Sequence, residues 1–488
     1  MTTTRSAQVL LLAKPKMPKK RASLAIAEFD KAGNLKAKYV ESAPGAGASR
    51  VDILLPTRRK KTWRKVLDIF LPDGYPHSVT DDYTEYQIYD SFQAFAGTIA
   101  GMISSRAVWE GLGVGDSMAS PTGAMLVQVI RESMGRLGTI AFAHLMGTSI
   151  EAECKAYRMA SDVLCSVAFV LDCLSPLFPR GLRFLVLCFS SILFAASGVA
   201  GNASKSSLSG HFAKWNNLGE LNAKDSSQET AISLMGMVTG TLVISLITTP
   251  TATWTTLITL IGTYLFLNWK GVRAVKCRSL NRQRANIAFS TLLFSDKVLT
   301  PGEVSKRESI FEQRGGEVLR WNCDAALGHC KFGVPLEQLL SSLATGQQHM
   351  RSFQLPTVDM TALMDLFEKE EYILWAEVSE STLQATASGT KVVVVLKNGV
   401  SAMSQLKAWF HSLLLARRLS ESRLSSSAMR GDETVMMAHI AATMRTANEK
   451  YDGYARRLSA AGWNLEIPVL ETRSGSRITR EVDDDLSH

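Results

Sequence analysis

The chain has 488 residues, 46% of them hydrophobic and 20% charged, and 54 Lys and Arg against 45 Asp and Glu give a formal net charge of +9. A chain this apolar is not intrinsically disordered, and its length exceeds that of one small domain. Its seven cysteines are odd in number and lie mostly in apolar runs. This pattern argues against a secreted disulfide framework and favours buried thiols.

The N-terminal arm, residues 1–57, is basic and has no acidic residue before Glu28. This charge bias is typical of a transit peptide, and a disordered basic arm is the alternative interpretation. Two short strands are predicted within residues 24–40, and residues 43–49 form a Pro/Gly/Ala/Ser linker. The arm therefore predicts either import into an organelle or a solvated extension.

A basic cluster follows, with six Lys or Arg among the eight residues 58–65. A solvated segment is one interpretation, and an anionic lipid surface is the other, because Trp63 among cations suits a membrane interface. A basic octamer without a recognisable binding module gives poor support to nucleic-acid binding. We therefore expect no nucleic acid among the partners.

Three apolar segments are long enough to predict membrane-spanning helices: Phe184–Ser204, Ala231–Thr248 and Trp254–Trp269. A spanning helix needs roughly 20 mostly apolar residues, because lipid offers the backbone no water to bond. The last two segments form a hairpin that breaks at Pro250. Basic residues after the hairpin place that end on the cytoplasmic or matrix side. A hairpin in the core of a soluble protein is the alternative.

Three weaker apolar segments, at 91–105, 117–146 and 162–178, are interrupted by charges and could be spans, re-entrant pieces or helices packed against spans. A helix is predicted from Asp82 to Ile103, and at 100° per residue its acidic and aromatic residues share one face while its large apolar residues occupy the other. In water the apolar face would face the core.

Ionisable groups near these apolar helices are the candidate site, because such groups are costly at membrane depth and by default pair or line a polar path. Ion pairs that only fix helix register are the alternative. Ser226 followed by Glu229 also predicts a capping box at the start of the hairpin. The candidate polar-path or ion-pair residues are Asp82, Glu85, Asp90, Arg106, Asp116, Arg131, Arg136, Asp225 and Glu229.

Two GxxxG motifs predict close helix packing, because glycines let helix backbones approach each other. They comprise Gly97 and Gly101 in the first helix, and Gly236 and Gly240 in the hairpin.

The sequence contains no catalytic constellation that its spacing supports. The glycines at 111–115 lack the preceding strand and the spacing of a dinucleotide loop, and they are interpreted as a turn. Cys323, His329 and Cys330 lack a second ligand pair, so no zinc site is predicted. We therefore expect no enzyme activity, no cofactor and no metal.

The ordered motifs FLPDGYPHSV (70–79), DY (82–83), YQIYDS (86–91), SSRAV (104–108) and KDSSQET (224–230) resemble the root UVB sensitive family. The resemblance covers about residues 62–290. It implies an α-helical membrane protein that works through pairing between family members and is linked to vitamin B6 homeostasis. Plastid and other membrane locations occur in the family.

The C-terminal part is charged and typical of a soluble α+β domain. Strands are predicted at 371–378, 391–397 and 464–470, and helices at 402–419 and 432–461. The tail from Thr472 is polar and predicted to be disordered. The predicted fold class is therefore mainly α, with a helical membrane core and a small C-terminal α+β soluble domain.

The predicted domains are the arm (1–57), the helical membrane domain (58–295), the soluble domain (300–471) and the tail (472–488). The leading functional hypothesis is a non-catalytic integral membrane protein acting in small-solute or vitamin B6-linked transport, trafficking or homeostasis. A membrane scaffold that pairs with another family member through its soluble domain is the alternative. The expected partners are the lipid bilayer and a second family member or copy. The expected location is a mitochondrial, plastid or endomembrane system.

Overall fold

The computed structural model describes residues 25–29, 35–42, 50–54, 69–113, 121–215, 217–312, 317–322, 325–343, 360–378, 389–425, 433–467, 469–473 and 475–480. The chain divides into two units. The first comprises residues 1–79 and 215–217, and the second comprises residues 80–214 and 218–488.

The first unit contains an antiparallel sheet in the order β1-β2-β3, formed by Ala25–Phe29, Leu35–Ser42 and Arg50–Leu54. The predicted hairpin within residues 24–40 is confirmed, with Ala25 opposite Val40. The third strand was not predicted, because its five residues directly follow a Pro/Gly/Ala/Ser linker. The basic cluster 58–65 lies outside the described residues.

The second unit begins with six helices. They are α1 (Tyr83–Gly111), α2 (Pro121–Met146), α3 (Cys154–Leu174), α4 (Arg180–Phe212), α5 (Leu218–Leu246) and α6 (Pro250–Ala274). Helix α1 packs against α5 and α6, and α4 packs against α2 and α3. A core cluster joins α1, α3 and α6 through Ile99, Phe169 and Leu257 among others.

Helix α1 is reversed in polarity relative to a helix of a water-soluble protein. Its polar residues Gln87, Asp90 and Gln93 are buried, whereas Ile88 and Phe92 are 51% and 61% exposed. A soluble helix normally turns its apolar stripe toward the core. The first half of α1 therefore presents its apolar side to the surroundings and its charges to the bundle.

Within the described residues, three helical stretches are long and apolar enough to cross a membrane: Cys154–Leu177, Arg180–Phe212 and Leu218–Leu246. Two of them contain the predicted spans Phe184–Ser204 and most of Ala231–Thr248. The third predicted span, Trp254–Trp269, lies in α6 and does not meet this criterion, because threonines dilute its apolar residues. The stretch Cys154–Leu177 meets the criterion instead. It overlaps the weaker predicted segment 162–178, which Asp162 and Asp172 interrupt.

The boundary between α5 and α6 lies where the sequence predicts it. Pro250 occupies the first turn of α6, and the Thr249 hydroxyl caps this helix by accepting from the Ala252 backbone N at 3.3 Å. The predicted capping box was wrong, because α5 begins at Leu218 and both Ser226 and Glu229 lie inside it.

The C-terminal part surrounds a sheet in the order β4-β5-β7-β6, with β8 beside β7. Its strands are β4 (Val318–Trp321), β5 (Ala325–Phe332), β6 (Tyr372–Val378), β7 (Thr390–Lys397) and β8 (Arg477–Ile478). Its helices are α7 (Arg282–Ser295), α8 (Pro301–Arg307), α9 (Leu336–Leu343), α10 (Met360–Leu366), α11 (Ala402–Ser425) and α12 (Glu433–Ala460). The β5–β7 and β7–β8 pairs are parallel, and the others are antiparallel.

The predicted strands at 371–378 and 391–397 and the two long helices are confirmed. The predicted strand at 464–470 was wrong, since the described part of this segment contains only an isolated bridge between Asn464 and Ser279. Part of the tail, predicted to be disordered, pairs with β7 as β8. Residues 481–488 lie outside the described residues.

Candidate functional site

Arg158 lies at the centre of a buried ionic network in the helical bundle. Its Nη2 donates to Asp90 Oδ1 over 2.8 Å and to Gln93 Oε1 over 3.0 Å, and its Nη1 donates to Asp162 Oδ1 over 2.9 Å. Spacing of four residues on α3 places Asp162 one turn from Arg158. Tyr264 on α6 donates to the same Asp162 oxygen over 2.8 Å. Arg158 thereby joins α3 to α1, and Asp162 joins α3 to α6.

Lys205 extends the network to α4 and α5. Its Nζ lies 3.1 Å from Asp90 Oδ2, 2.9 Å from Asp225 Oδ2 and 3.0 Å from Glu229 Oε2. Gln87 Nε2 donates to the other Asp225 oxygen over 2.8 Å. We refer to Asp90, Arg158, Asp162, Lys205, Asp225 and Glu229 as the central network. Its two cations face four carboxyl groups.

A second buried cluster lies around Asp172 on α3. Arg131 Nη2 donates to Asp172 Oδ2 over 2.6 Å and its Nε donates to Ser191 Oγ over 2.9 Å. Ser104 and Ser190 also donate to this carboxylate. The cluster ties α1, α2 and α4 to α3, because each of the first three helices supplies a donor to the Asp172 carboxylate.

Asp82 is buried immediately before α1. Its Oδ2 lies 3.0 Å from His211 Nε2 and accepts from the Lys276 backbone N over 2.6 Å. Burial alone would raise the pKa of Asp82, but the contacts with His211 and the Lys276 backbone hold it well below its usual range. The carboxylate therefore joins the start of α1 to the end of α4 and to the segment after α6.

The structure brings only part of the predicted set together. Asp90, Asp225 and Glu229 meet in the central network, whereas Asp82 and Arg131 lie in the separate contacts described above. Arg106 pairs with Glu110 at 2.7 Å and donates to the Ile244 and Ile247 carbonyl oxygens. Glu85 and Arg136 are exposed, and Asp116 lies outside the described residues.

Sequence reasoning did not include Arg158, Asp162 and Lys205 in the candidate set, although they bind the others together. Lys205 directly follows the predicted span Phe184–Ser204, and Asp162 lies in the weaker apolar segment 162–178. A usable signal was present: an Arg and an Asp four residues apart on one face of a largely apolar helix indicate a buried pair.

The predicted packing glycines lie at helix contacts. A Cβ added to Gly236 would lie 2.9 Å from Thr98 Cβ, and one added to Gly240 would lie 2.6 Å from Met102 Sδ, both on α1. Gly97 faces Tyr264 on α6, with an added Cβ 2.7 Å from Cε2, and Gly101 faces Phe169 on α3 at 3.4 Å.

A third ionic cluster links the bundle to the C-terminal part. Glu308 accepts from Lys155 at the start of α3, and its second oxygen lies 3.2 Å from Arg284 Nη1 on α7. Burial opposes its ionisation, but these two cations lower the pKa of Glu308 below its usual range.

A cavity of about 1270 Å³ lies next to this cluster. It is bordered by the ends of α3 and α4, the segment after α6 and the C-terminal half of α12. Its lining includes Cys154, Ser206, His211, Cys277, Arg278 and Trp463. Within the described ranges no group of three or more His, Cys, Asp or Glu side chains could hold a metal ion.

Two family models together cover most of the chain. Residues 56–296 match the model described as "Vitamin B6 photo-protection and homoeostasis domain", and residues 297–473 match "Root UVB sensitive protein, C-terminal". The chain belongs to the root UVB sensitive family. The resemblance stated from the sequence motifs is thereby confirmed.

Relatives of the family occur in distant eukaryotes. The chain is 38% identical to "RUS family member 1" of Dictyostelium discoideum over 266 residues, which are 54% of this chain and 50% of that protein. It is 27% identical to "Protein root UVB sensitive 3" of Arabidopsis thaliana over 436 residues, covering 89% of this chain and 91% of the relative. "Protein root UVB sensitive 2, chloroplastic" of the same plant is 24% identical over 285 residues, covering 58% of this chain and 62% of the relative. No solved structure matches the chain.

The boundary between the two family models does not follow the packing. Helix α7 lies before residue 297, yet Ala285, Phe289 and Leu292 belong to the same hydrophobic core as the C-terminal sheet. Phe289 packs against Phe410 with ring centroids 5.0 Å apart. The last helix of the first family domain is therefore part of the second domain's core.

Proposed function

We propose that this member of the root UVB sensitive family is an integral membrane protein, non-catalytic, that moves a small polar solute linked to vitamin B6. The central network carries the proposal, because it places charged groups inside a bundle whose outer side is apolar. Ionisable groups at membrane depth are costly, and they commonly mark substrate or ion paths.

The outer side of the bundle supports a lipid environment. Large apolar side chains are exposed on most of α2 and on the second half of α5. Exposure of so large an apolar area to water is unfavourable. On α2 they are Met125, Leu126, Val129, Leu137, Ile140 and Leu145; on α5 they are Leu234, Met235, Met237, Val238, Leu242 and Leu246. The exposed Ile88 and Phe92 of α1 extend the same surface.

The composition of the central network favours a path over simple register pairs. Two cations face four carboxyl groups, so the cluster attracts protons or a positively charged group. A set of pairs that fixed helix register alone would need only matched charges.

The link to vitamin B6 rests on the description of the family model that matches residues 56–296. One relative is named chloroplastic, and an organelle membrane or an endomembrane is the location we propose here. Pairing with a second copy or another family member is part of the same proposal, since the resemblance implies it.

Membrane insertion is tested first, by extraction of native membranes with alkaline carbonate. Retention in the pellet is expected, and release into the supernatant would overturn the proposal. Uptake by liposomes containing purified full-length protein is then measured with pyridoxal, pyridoxine and pyridoxal 5′-phosphate as probes. Asp90→Asn should abolish uptake, whereas Glu110→Gln, an exposed carboxylate on the same helix, should leave it unchanged.

Two outcomes of this assay distinguish the competing functions. Saturable uptake that depends on Asp90 supports transport. Uptake equal to that of protein-free liposomes, with tight association of the full-length chain with a family member, would instead favour a membrane scaffold.

A further inference from the structure

Two cysteines that are distant in the sequence meet at a buried position. Cys154 is the first residue of α3, and Cys277 lies in the segment between α6 and α7. Both are buried, with 5% and 3% of their surface exposed. Cys154 is the largest single influence on the pKa of the Cys277 thiol, so the two side chains are close neighbours.

Contacts on both sides of the thiols fix the two chain segments against each other. On one side Lys155 Nζ donates to the Val275 carbonyl oxygen over 2.6 Å. On the other, Asn281 Nδ2 donates to the Ala152 carbonyl oxygen over 3.2 Å and to Glu153 Oε2 over 3.2 Å. Disulfide formation requires closely placed Cβ atoms, so this bracing favours a bond between these two residues over other pairs.

The surroundings favour a reactive sulfur at Cys277. A hydrogen bond from Cys154 lowers the pKa of the Cys277 thiol against the opposing effect of burial, and the charges of Arg284, Lys155 and His211 lower it further. Glu308, which follows the last residue of α8, pairs with Lys155 and Arg284. By contrast, burial raises the pKa of Cys330 in the C-terminal core to about 12. Cys277 therefore has much more thiolate character than Cys330.

Both residues line the cavity of about 1270 Å³, so a small molecule inside it lies next to them. Structural cysteines sealed in a core are inert, whereas redox-sensitive ones combine thiolate character with access and a nearby second cysteine. Cys277 has a lowered thiol pKa, lines the cavity and lies beside Cys154.

We propose that Cys154 and Cys277 are a redox-active dithiol that closes to a disulfide when a small hydroperoxide enters the cavity. The Cys277 sulfur attacks a peroxide oxygen; an S–O bond forms, the O–O bond breaks, and the departing oxygen takes up the proton that Cys277 loses and leaves as water or alcohol. The Cys154 sulfur then displaces the oxygen of the sulfenic acid. The S–S bond forms, the S–O bond breaks, and the Cys154 proton leaves in a second water. Two thiols lose two electrons and the peroxide gains them.

The disulfide joins the bundle to the C-terminal part at a defined position. Cys154 starts α3, which carries Arg158 and Asp162, and Cys277 precedes α7, which packs in the C-terminal core. Oxidation would therefore covalently connect the helix holding the central network to the segment entering the second family domain. This site stands on its own geometry and does not depend on the transport proposal.

The test uses purified, reduced full-length protein in detergent, treated with hydrogen peroxide and digested without reductant. Mass spectrometry should recover one dominant cross-linked peptide joining Cys154 to Cys277, and a phosphine reductant should remove it. Recovery of both cysteines as free thiols, or of Cys277 linked mainly to another cysteine, at peroxide doses that oxidise exposed methionines would overturn the proposal.

Variants separate the two roles. In Cys154→Ala, Cys277 should be trapped as a sulfenic acid by dimedone, whereas Cys277→Ala should show neither the cross-link nor a dimedone adduct at Cys154. Cys330→Ala is the matched control for a buried cysteine, and its 154–277 cross-link should form as in the wild type. If an alanine variant does not fold, the serine variant replaces it, and the wild-type cross-link remains decisive.

Discussion

Arg158 and Asp90 join α3 to α1 through a 2.8 Å ion pair in which the two side chains are only 9% and 6% exposed. Each charge is thus removed from water and depends on its partner. Asp90 also holds Lys205, and Arg158 also holds Asp162. Loss of one member therefore leaves at least one buried charge with fewer partners.

Asp90→Asn should lower the free energy of unfolding by about 3–5 kcal/mol, because it leaves Arg158 and Lys205 undercompensated. Thermal unfolding in detergent measures the effect. The double variant Asp90→Asn with Arg158→Gln should cost less than the sum of the single variants. Glu110→Gln, which breaks only the exposed pair with Arg106, is the control and should cost within about 1 kcal/mol. Equal effects at both pairs would contradict the inferred burial of the network.

Alanine should have opposite effects at two glycines on adjacent helices. At Gly236 an added Cβ lies 2.9 Å from Thr98 Cβ, so α1 and α5 must separate slightly, at a cost of about 1–3 kcal/mol. A Cβ added to Gly262 on α6 would have no neighbouring side chain within 4 Å among the described residues, and the better helix propensity of alanine should add up to about 1 kcal/mol. Thermal unfolding of Gly236→Ala and Gly262→Ala tests the signs. Stabilisation by Gly236→Ala would contradict the close contact of α1 with α5.

Glu312→Gln should stabilise the protein at high pH but not at low pH. Burial, together with the nearby Glu153 carboxyl group, raises the pKa of Glu312 to about 7. A raised carboxyl pKa means that stability falls as pH rises from the unfolded-state value toward 7 and stays reduced above it. At pH 8.5 the glutamine removes this cost, a gain of up to about 3 kcal/mol. Unfolding curves at pH 4.5 and 8.5 measure it; an equal gain at both would exclude ionisation as the cause.

Thr443→Ala should destabilise the C-terminal core through His411. Burial lowers the pKa of His411 to about 3, so its ring is neutral at physiological pH. The Thr443 hydroxyl donates to the His439 carbonyl oxygen, so it accepts from His411 Nε2 at 2.9 Å, while Tyr372 contacts Nδ1 at 3.0 Å. An unpaired buried N–H costs about 1–3 kcal/mol.

Thr446→Ala is the matched control for that substitution, because among the described residues its hydroxyl donates only to the Ala442 carbonyl oxygen on the same helix. Chemical denaturation should give a clearly smaller loss for Thr446→Ala. Equal losses for the two variants would contradict the role of the His411 hydrogen bond.

Local signals in the sequence identified the elements but not their partners. Pro250 ends one helix and starts another whatever surrounds it, and the valine run at 392–395 forms β7 because only a strand suits it. Helix α5 begins before the Ser226–Glu229 pair, and Glu229 contacts Lys205 on another helix instead of capping a helix start. Such contacts depend on tertiary structure and leave no periodic pattern. For the same reason, the ionisable residues could be recognised as a class while their grouping around Arg158 could not.

Helix α7 determines where the two halves of the protein can be separated. Trp409 Nε1 donates to Asn286 Oδ1 over 3.0 Å, and Arg282 Nε donates to the Leu470 carbonyl oxygen over 2.7 Å. A fragment that began at the boundary between the two family models would lack α7. The part of its hydrophobic core that α7 covers would then be exposed. Exchange of C-terminal halves between relatives would therefore have to carry the preceding helix along to keep the core intact.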